Sequence, residues 1–168
     1  MIAAVALFLA HSIASSPDLG KAAGQCRPGE QGPSFLVSVT GLKDRRGRLK
    51  LELYPANDED FLADDNELVA AGKPFARVEI ETPKTGDVEM CIRAPYPGTF
   101  ALSLLHDRDS NRKFGLSVDG IGFAGNPHMG WAKPKAAAAS ITVGSGPNHI
   151  RIVMNYRHGL FSLRPLGE

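Results

Sequence analysis

Apolar and polar residues alternate along several short segments of the chain. In residues 48–54 (RLKLELY) three leucines point one way, and Arg48, Lys50 and Glu52 point the other way. A period of two is typical of a β-strand with one buried face. Comparable segments occur at 34–40, 75–81, 87–93, 99–107, 140–144, 148–156 and, less regularly, 160–164. The pattern predicts seven or eight strands and almost no helix.

Short turn sequences separate the predicted strands. Residues 41–47 (GLKDRRG) and 95–98 (PYPG) are of this kind, and the whole chain contains 18 glycines and 12 prolines. Short strands with frequent turns are typical of an antiparallel β-sandwich. We therefore predict an all-β fold, an antiparallel sandwich of seven or eight strands of the immunoglobulin or transthyretin type, with long loops. Both faces of 99–107 are apolar, which indicates a central strand.

Two long connections interrupt this pattern. Residues 57–72 contain six acidic residues and end at Gly72, and they predict a loop with one or two helical turns. Residues 108–134 form the longest connection and contain five glycines. A loop of this length inside a compact domain is usually either functional or disordered.

The N-terminus has the pattern of an export signal. Residues 2–10 are apolar, and Ser12-Ile13-Ala14 offers a small-x-small cleavage site before Ser15, although no Lys or Arg precedes the apolar run. The alternatives are a buried strand or a membrane anchor, but the run is far shorter than the roughly 20 residues that span a bilayer. We predict an exported protein, periplasmic or secreted, without a transmembrane span after signal removal. Its predicted parts are a signal peptide over 1–14, an N-terminal tail over 15–33 and a single domain over 34–168.

The chain contains two cysteines, Cys26 and Cys91. In an exported protein an even number of cysteines predicts a disulfide, whereas free thiols would be expected in the cytosol. Closing a loop of this length stabilises a fold by about 4 kcal/mol in the chain-entropy model. Cys91 shares the outer face of its predicted strand with Glu89 and Arg93. The disulfide should then hold the N-terminal tail across the outside or the end of a sheet.

The charges of the chain are almost balanced. Lys and Arg number 19, Asp and Glu number 18, and the formal net charge is +1. Proteins that bind nucleic acid normally carry a basic excess, so we expect no nucleic-acid partner. The expected partner is an envelope protein or a glycan, bound by a monomer.

Residues 106–115 (HDRDSNRKFG) follow the predicted central strand and concentrate polar side chains. Alternate positions supply the oxygen ligands that calcium prefers, from Asp107, Asp109 and Asn111. The match to an EF-hand loop is incomplete, because Arg112 stands where the loop has glycine and Val118 stands where it has the bidentate acid. The alternative is an Asx-type turn, in which Asp and Asn side chains bond their own backbone. We expect no cofactor, and calcium is the one alternative that this sequence offers.

Catalytic chemistry has little support in the sequence. His106 beside Asp107 could act as the base of a hydrolase, but strand neighbours point to opposite faces, and no G-x-S-x-G sequence is present. We predict that the protein is not an enzyme and that His106 anchors the following loop by hydrogen bonds. Phe123, Met129 and Trp131 either line a ligand groove or plug one end of the sandwich.

Part of the chain resembles a known family. The similarity consists of a Pro-Gly turn, an apolar strand, His-Asp, Asn-x-Lys and a Gly-x-Gly-Phe stretch, found at Pro97-Gly98, His106-Asp107, Asn111, Lys113, Gly120, Gly122, Phe123 and Asn126. These elements and the opening hairpin are similar to the bacterial domain-of-unknown-function family numbered 2141. The family often has glycine where Arg112 stands. The resemblance implies an exported β-sandwich without an established activity.

We interpret the protein as a non-enzymatic binding or structural module at the cell envelope. The candidate positions for binding a ligand or anchoring a loop are His106, Lys113, Gly122, Phe123, Asn126 and Trp131. The alternative is a calcium-binding module that uses Asp107, Asp109 and Asn111.

Overall fold

A computed structural model describes residues 12–130, 132–160 and 162–167 of the chain. Two β-sheets pack face to face, and short helices lie in the connections. The strands are β1 (Ser34–Thr40), β2 (Arg48–Pro55), β3 (Ala76–Glu81), β4 (Val88–Arg93), β5 (Gly98–Asp107), β6 (Gly120–Phe123), β7 (Ser140–Val143), β8 (Pro147–Val153), β9 (Asn155–His158) and β10 (Ser162–Pro165). The helices are α1 (Lys21–Gly24), α2 (Asp65–Ala70) and a 3₁₀ helix (Ala136–Ala139).

The two sheets differ in size. The smaller sheet has three strands in the order β4-β1-β8. The larger sheet has seven strands, six of them in the order β10-β9-β6-β5-β2-β3, and β7 pairs with β5 beyond the end of β6. The prediction of a β-sandwich is therefore confirmed.

Four details differ from the predicted sandwich. The described residues form ten strands, more than the predicted seven or eight. β1 and β8 are parallel, whereas the other strand pairs are antiparallel. The alternating segment 148–156 is divided between β8 of the smaller sheet and β9 of the larger sheet. The chain changes sheets at Met154, so that Ile152, Met154 and Tyr156 all remain in the core. β6 was expected to be loop because two of its four residues are glycines, which disfavour strands.

Alternate residues of both sheets fill the core between them. The buried sets are Phe35, Val37 and Val39 of β1, Leu49, Leu51 and Leu53 of β2, Val88, Met90 and Ile92 of β4, and Phe100, Leu102 and Leu104 of β5. A second apolar cluster lies on the opposite, outer face of the larger sheet. It includes Tyr54, Phe61, Leu68, Phe75, Ala101, Phe123 and Met129. β5 is buried on both faces, as expected of a central strand.

The second cluster is covered by the two long connections. The connection between β2 and β3 contains α2, which lies within the segment predicted to form one or two helical turns. The connection between β6 and β7 places Met129 and the 3₁₀ helix on the same cluster. Phe123 and Met129 therefore cover the outer face of a sheet and do not plug one end of the sandwich.

The N-terminal segment is fastened to the domain at several points. Helix α1 packs against β3, and the main-chain N–H of Arg77 donates to the carbonyl of Gly20. Cys26 and Cys91 form the predicted disulfide, with their Cα atoms 6.0 Å apart. The segment is thus an ordered part of the domain surface, not only a tail held at Cys26. Over the residues that the structure describes, no helix has the length and apolar character needed to cross a bilayer.

Candidate functional site

His106 lies at the end of the core, where β5 leaves the sandwich. Its side chain is fully buried and on the same face of β5 as Leu104. Nδ1 lies 2.6 Å from the hydroxyl oxygen of Tyr156, and Nε2 lies 2.8 Å from the carbonyl oxygen of Arg46. The Tyr156 hydroxyl also accepts a hydrogen bond from the main-chain N–H of Lys43. The consistent arrangement has Nε2–H donating to Arg46 and the Tyr156 hydroxyl donating to Nδ1.

This hydrogen-bond chain holds a neutral histidine. Burial lowers the pKa of His106 below its ordinary value, against the opposing effects of the Arg46 carbonyl and of Asp44. Burial also raises the pKa of Tyr156 to about 12, so the hydroxyl remains protonated and can donate. Because both ring nitrogens are bonded inside the protein, His106 does not face a cleft in which it could act as a base.

The loop that His106 anchors is not the predicted one. Its contact with Arg46 fixes the β1–β2 connection, whereas the loop after β5 is bound by Asp107, which points to the opposite face of the strand. Asp107 accepts hydrogen bonds from the main-chain N–H groups of Asn111 and Arg112. The side chain of the neighbouring residue therefore performs the role that we assigned to His106.

Asp119 closes the same loop from its other end. The carboxylate is buried and accepts hydrogen bonds from the main-chain N–H groups of Arg108 and Gly115, at 2.9 and 2.7 Å. Asp109 accepts from the main chain and side chain of Asn111. The segment thus forms a set of Asx-type turns whose carboxylates satisfy main-chain donors.

Three carboxylates of this loop converge. One oxygen each of Asp107, Asp109 and Asp119 lies within 4.8 Å of the other two. Burial raises the pKa of Asp107, and the nearby Asp109 and Asp119 raise it further, against the main-chain N–H donors. Asn111 directs its side-chain nitrogen at Asp109, and its oxygen accepts from the N–H of Lys113 at 2.7 Å. The structure therefore adds Asp119 to the two predicted aspartates, while the Asn111 oxygen accepts a hydrogen bond from Lys113.

The remaining predicted positions have different roles. Asn126 bridges its loop to β8, because its Nδ2 donates to the Arg151 carbonyl and its Oδ1 accepts from the Val153 N–H. Gly122 lies against Ile152, where an added Cβ would be only 2.5 Å from Cγ2. The side chain of Lys113 is exposed. Trp131 lies outside the described residues.

An apolar groove lies on the outer face of the larger sheet beside β6 and β10. Its volume is about 330 Å³, and its walls include Leu62, Phe114, Leu116, Ile121, Phe123 and Leu163. Among the described lining residues, only Lys133 has a polar side chain, and its Nζ donates to the Phe61 carbonyl. Phe114 and Leu116 remain 44% and 39% exposed. We refer to this feature as the apolar groove.

Sequence reasoning identified Phe123 and Met129 as groove candidates but missed most of the other walls. Phe114 and Leu116 carried a usable signal, because they are large apolar residues inside an otherwise polar and glycine-rich loop. Leu62 and Leu163 carried no such signal, since they come from the β2–β3 connection and from β10, far from this loop along the chain. The groove is assembled only when β6 pairs between β5 and β9.

The protein is a two-sheet β-sandwich. Its Cys26–Cys91 disulfide is consistent with an oxidising compartment. The chain belongs to the bacterial family DUF2141, described as "uncharacterized protein conserved in bacteria", whose model matches residues 37–151. The family resemblance seen in the sequence is thereby confirmed. No curated protein and no solved structure is significantly similar to the chain.

Proposed function

We propose that the protein is an exported, non-enzymatic binding module of the bacterial cell envelope, and that its apolar groove receives an apolar segment of an envelope protein. The single observation that carries this proposal is the combination of a preformed groove with exposed Phe114 and Leu116 at its wall. Exposed apolar side chains beside a concave, apolar pocket are typical of sites that bind a ligand or another protein. The module acts as a monomer.

A protein partner fits the groove better than a glycan does. Glycan hydroxyls require polar side chains for recognition, because a buried hydroxyl without a hydrogen bond is costly. Lys133 is the one polar side chain among the described lining residues, and its Nζ already bonds Phe61. Leu, Ile, Val or Phe side chains of a partner would instead gain from burial, at about 25 cal/mol per Å² of apolar surface.

The non-enzymatic part of the proposal is supported by the chemistry that the groove presents. Its described lining contains no carboxylate, histidine, serine or cysteine. His106, the one catalytic candidate of the sequence, has both nitrogens bonded inside the core. Export is supported by the N-terminal apolar run and by the Cys26–Cys91 disulfide.

Photo-crosslinking in living bacteria tests the groove. A photoreactive phenylalanine analogue replaces Leu116, and in a matched control it replaces Tyr96, an exposed aromatic residue of the β4–β5 turn. We expect a discrete adduct with an envelope protein from position 116 only, and its loss when Phe114→Asp is added. Equal adducts from both positions, or an adduct that persists in the Phe114→Asp background, would contradict the proposal. Hydrolysis of envelope-type substrates that is abolished by His106→Ala would contradict its non-enzymatic part.

A calcium-binding module is the second candidate function. The observation that favours it is the convergence of the Asp107, Asp109 and Asp119 carboxylates. Carboxylate oxygens are the ligands that calcium prefers, and an ion would offset the repulsion among three like charges. One observation argues against a calcium site. Asp107 and Asp119 already accept hydrogen bonds from main-chain N–H groups, and these bonds stabilise both buried carboxylates without an ion.

A further inference from the structure

The residues directly after the predicted cleavage site are fixed to the folded domain. The Ser15 hydroxyl donates to Asp65 Oδ1 at 2.6 Å, and the Ser16 carbonyl accepts from Arg77 Nη1 at 3.0 Å. Further along, the segment is held at Gly20 and by the Cys26 disulfide. The first residues of the predicted mature chain therefore lie against α2 and β3.

Buried carboxylates outnumber buried cations beneath Ser15. Among the described side chains of this cluster, those of Glu52, Asp65 and Glu79 and that of Arg77 are more than nine-tenths buried. Arg77 binds Glu52 and Asp65 at 2.7 and 3.1 Å. Glu79 Oε2 accepts no hydrogen bond from any described residue. A buried carboxylate oxygen without a hydrogen bond is costly, so a further hydrogen-bond donor in this cluster would be favourable.

Three further cations lie around the cluster, and they are more exposed than Arg77. Lys50 Nζ lies 3.3 Å from Glu52. Lys21 and Arg112 are 38% and 45% exposed, and they lie 3.5 and 3.6 Å from the Glu79 oxygens, beyond good hydrogen-bond distance. A cavity of about 150 Å³ is lined by Ser15 and Ser16, by the carboxylates Asp65 and Glu79, and by the cations Lys50, Arg77 and Arg112. It can hold an ammonium group.

We propose that this cavity is the binding site of the chain's own N-terminus, in which the α-ammonium group created by cleavage before Ser15 pairs with Asp65. Hydrolysis by an export peptidase breaks the Ala14–Ser15 peptide bond. Water adds its hydroxyl to the Ala14 carbonyl carbon and a proton to the Ser15 nitrogen, which takes up a second proton from solvent. The inference rests on the export that is part of the proposed function.

The uncut chain differs from the processed chain in charge and in one contact. Before cleavage the Ser15 nitrogen is a neutral amide, although it is only three bonds from the hydroxyl that already reaches Asp65. The carbonyl of Ile13 accepts a hydrogen bond from Asn66 Nδ2, and cleavage removes this contact. Processing thus exchanges one neutral hydrogen bond for an ion pair within a largely buried cluster, where charge pairs are stronger than in water.

The test begins with the full chain produced in bacteria and recovered from the envelope with its disulfide intact. Mass spectrometry should show Ser15 as the first residue. Competitive labelling with acetic anhydride at pH 7.5 then measures the reactivity of the α-amine. We expect labelling about tenfold slower in the folded protein than in the same protein unfolded in urea, because pairing keeps the amine protonated. The unfolded wild type serves as a reference that does not depend on the folding of a variant.

Variants identify the partner of the amine. Asp65→Asn should restore fast labelling, whereas Glu67→Gln, an exposed acid on the same helix, should leave it slow. Ser15→Ala should also remain slow, because it removes the hydroxyl and keeps the amine. A first residue other than Ser15 would overturn the inference together with the predicted signal. A Ser15 amine that reacts as fast in the folded as in the unfolded protein would overturn only the inference about the N-terminus. The proposed function of the groove would be unaffected, because the crosslinking experiment tests it separately.

Discussion

Tyr156 reaches His106 across Gly120. The three residues are aligned on neighbouring strands of the larger sheet, since His106 is paired with Gly120 and Gly120 with Tyr156. The Tyr156 ring lies so close to Gly120 that an added Cβ would be 2.3 Å from Cε1. The hydroxyl then meets His106 Nδ1 at 2.6 Å. The hydrogen bond between Tyr156 and His106 therefore requires a glycine on β6, the strand between them.

Gly120→Ala should displace the Tyr156 ring and destabilise the fold. Forced overpacking in a buried site costs about 1–3 kcal/mol, and loss of the bond to His106 adds about 1 kcal/mol. Urea unfolding should show this decrease in the free energy of unfolding. The matched control is Gly144→Ala, because nothing lies within 4 Å of its added Cβ. Equal stability of the two variants would mean that Tyr156 does not pass over Gly120 as described.

His106→Ala should lower the free energy of unfolding by about 1–3 kcal/mol, because the Tyr156 hydroxyl and the Arg46 carbonyl lose their partner. The exposed His149 offers a control, and His149→Ala should change stability by less than about 0.5 kcal/mol. Thermal and urea unfolding of the two variants provide the comparison. A wild-type melting temperature for His106→Ala would contradict the structural role of this residue.

Acid should weaken the fold through the same histidine. The pKa of His106 is lowered in the folded protein, mainly by burial, from its ordinary value of 6.5. Below that value the unfolded chain takes up a proton that the folded chain does not, so stability falls with falling pH, by up to about 1.4 kcal/mol per pH unit. Urea unfolding between pH 7.5 and 5.5 should show a smaller loss in His106→Gln than in the wild type. A loss of the same size in both would contradict this origin of the pH dependence.

Local alternation was sufficient to predict the strands that form the core. Phe35, Val37 and Val39, and likewise the three leucines of β2, are buried as their period of two requires. The signal is reliable there because one face of each strand packs against the other sheet. It failed at β6, where the glycines needed for close contact with Tyr156 and Ile152 removed the apolar pattern.

Relationships between distant segments could not be predicted. Tyr156 and His106 are 50 residues apart, and their contact depends on the strand order β9-β6-β5, which no local pattern encodes. The parallel pairing of β1 with β8 depends in the same way on where the chain changes sheets. The polar loop illustrates both cases. The Asx-type turns of Asp107 and Asp109 are local and were anticipated, whereas the approach of Asp119 required the folded loop.

Calcium should leave the melting temperature of the oxidised protein unchanged. Asp107 and Asp119 each accept two main-chain hydrogen bonds, and these bonds, not an ion, hold the loop. Thermal melts of the processed protein recovered from the envelope, first with calcium and then with a chelator, provide the measurement. Asp109→Asn removes the exposed carboxylate of the cluster, and Asp87→Asn on the β3–β4 turn is a matched exposed control. A calcium-dependent rise that is lost in Asp109→Asn and kept in Asp87→Asn would establish the second candidate function, since an ion that binds only the folded state stabilises it by mass action.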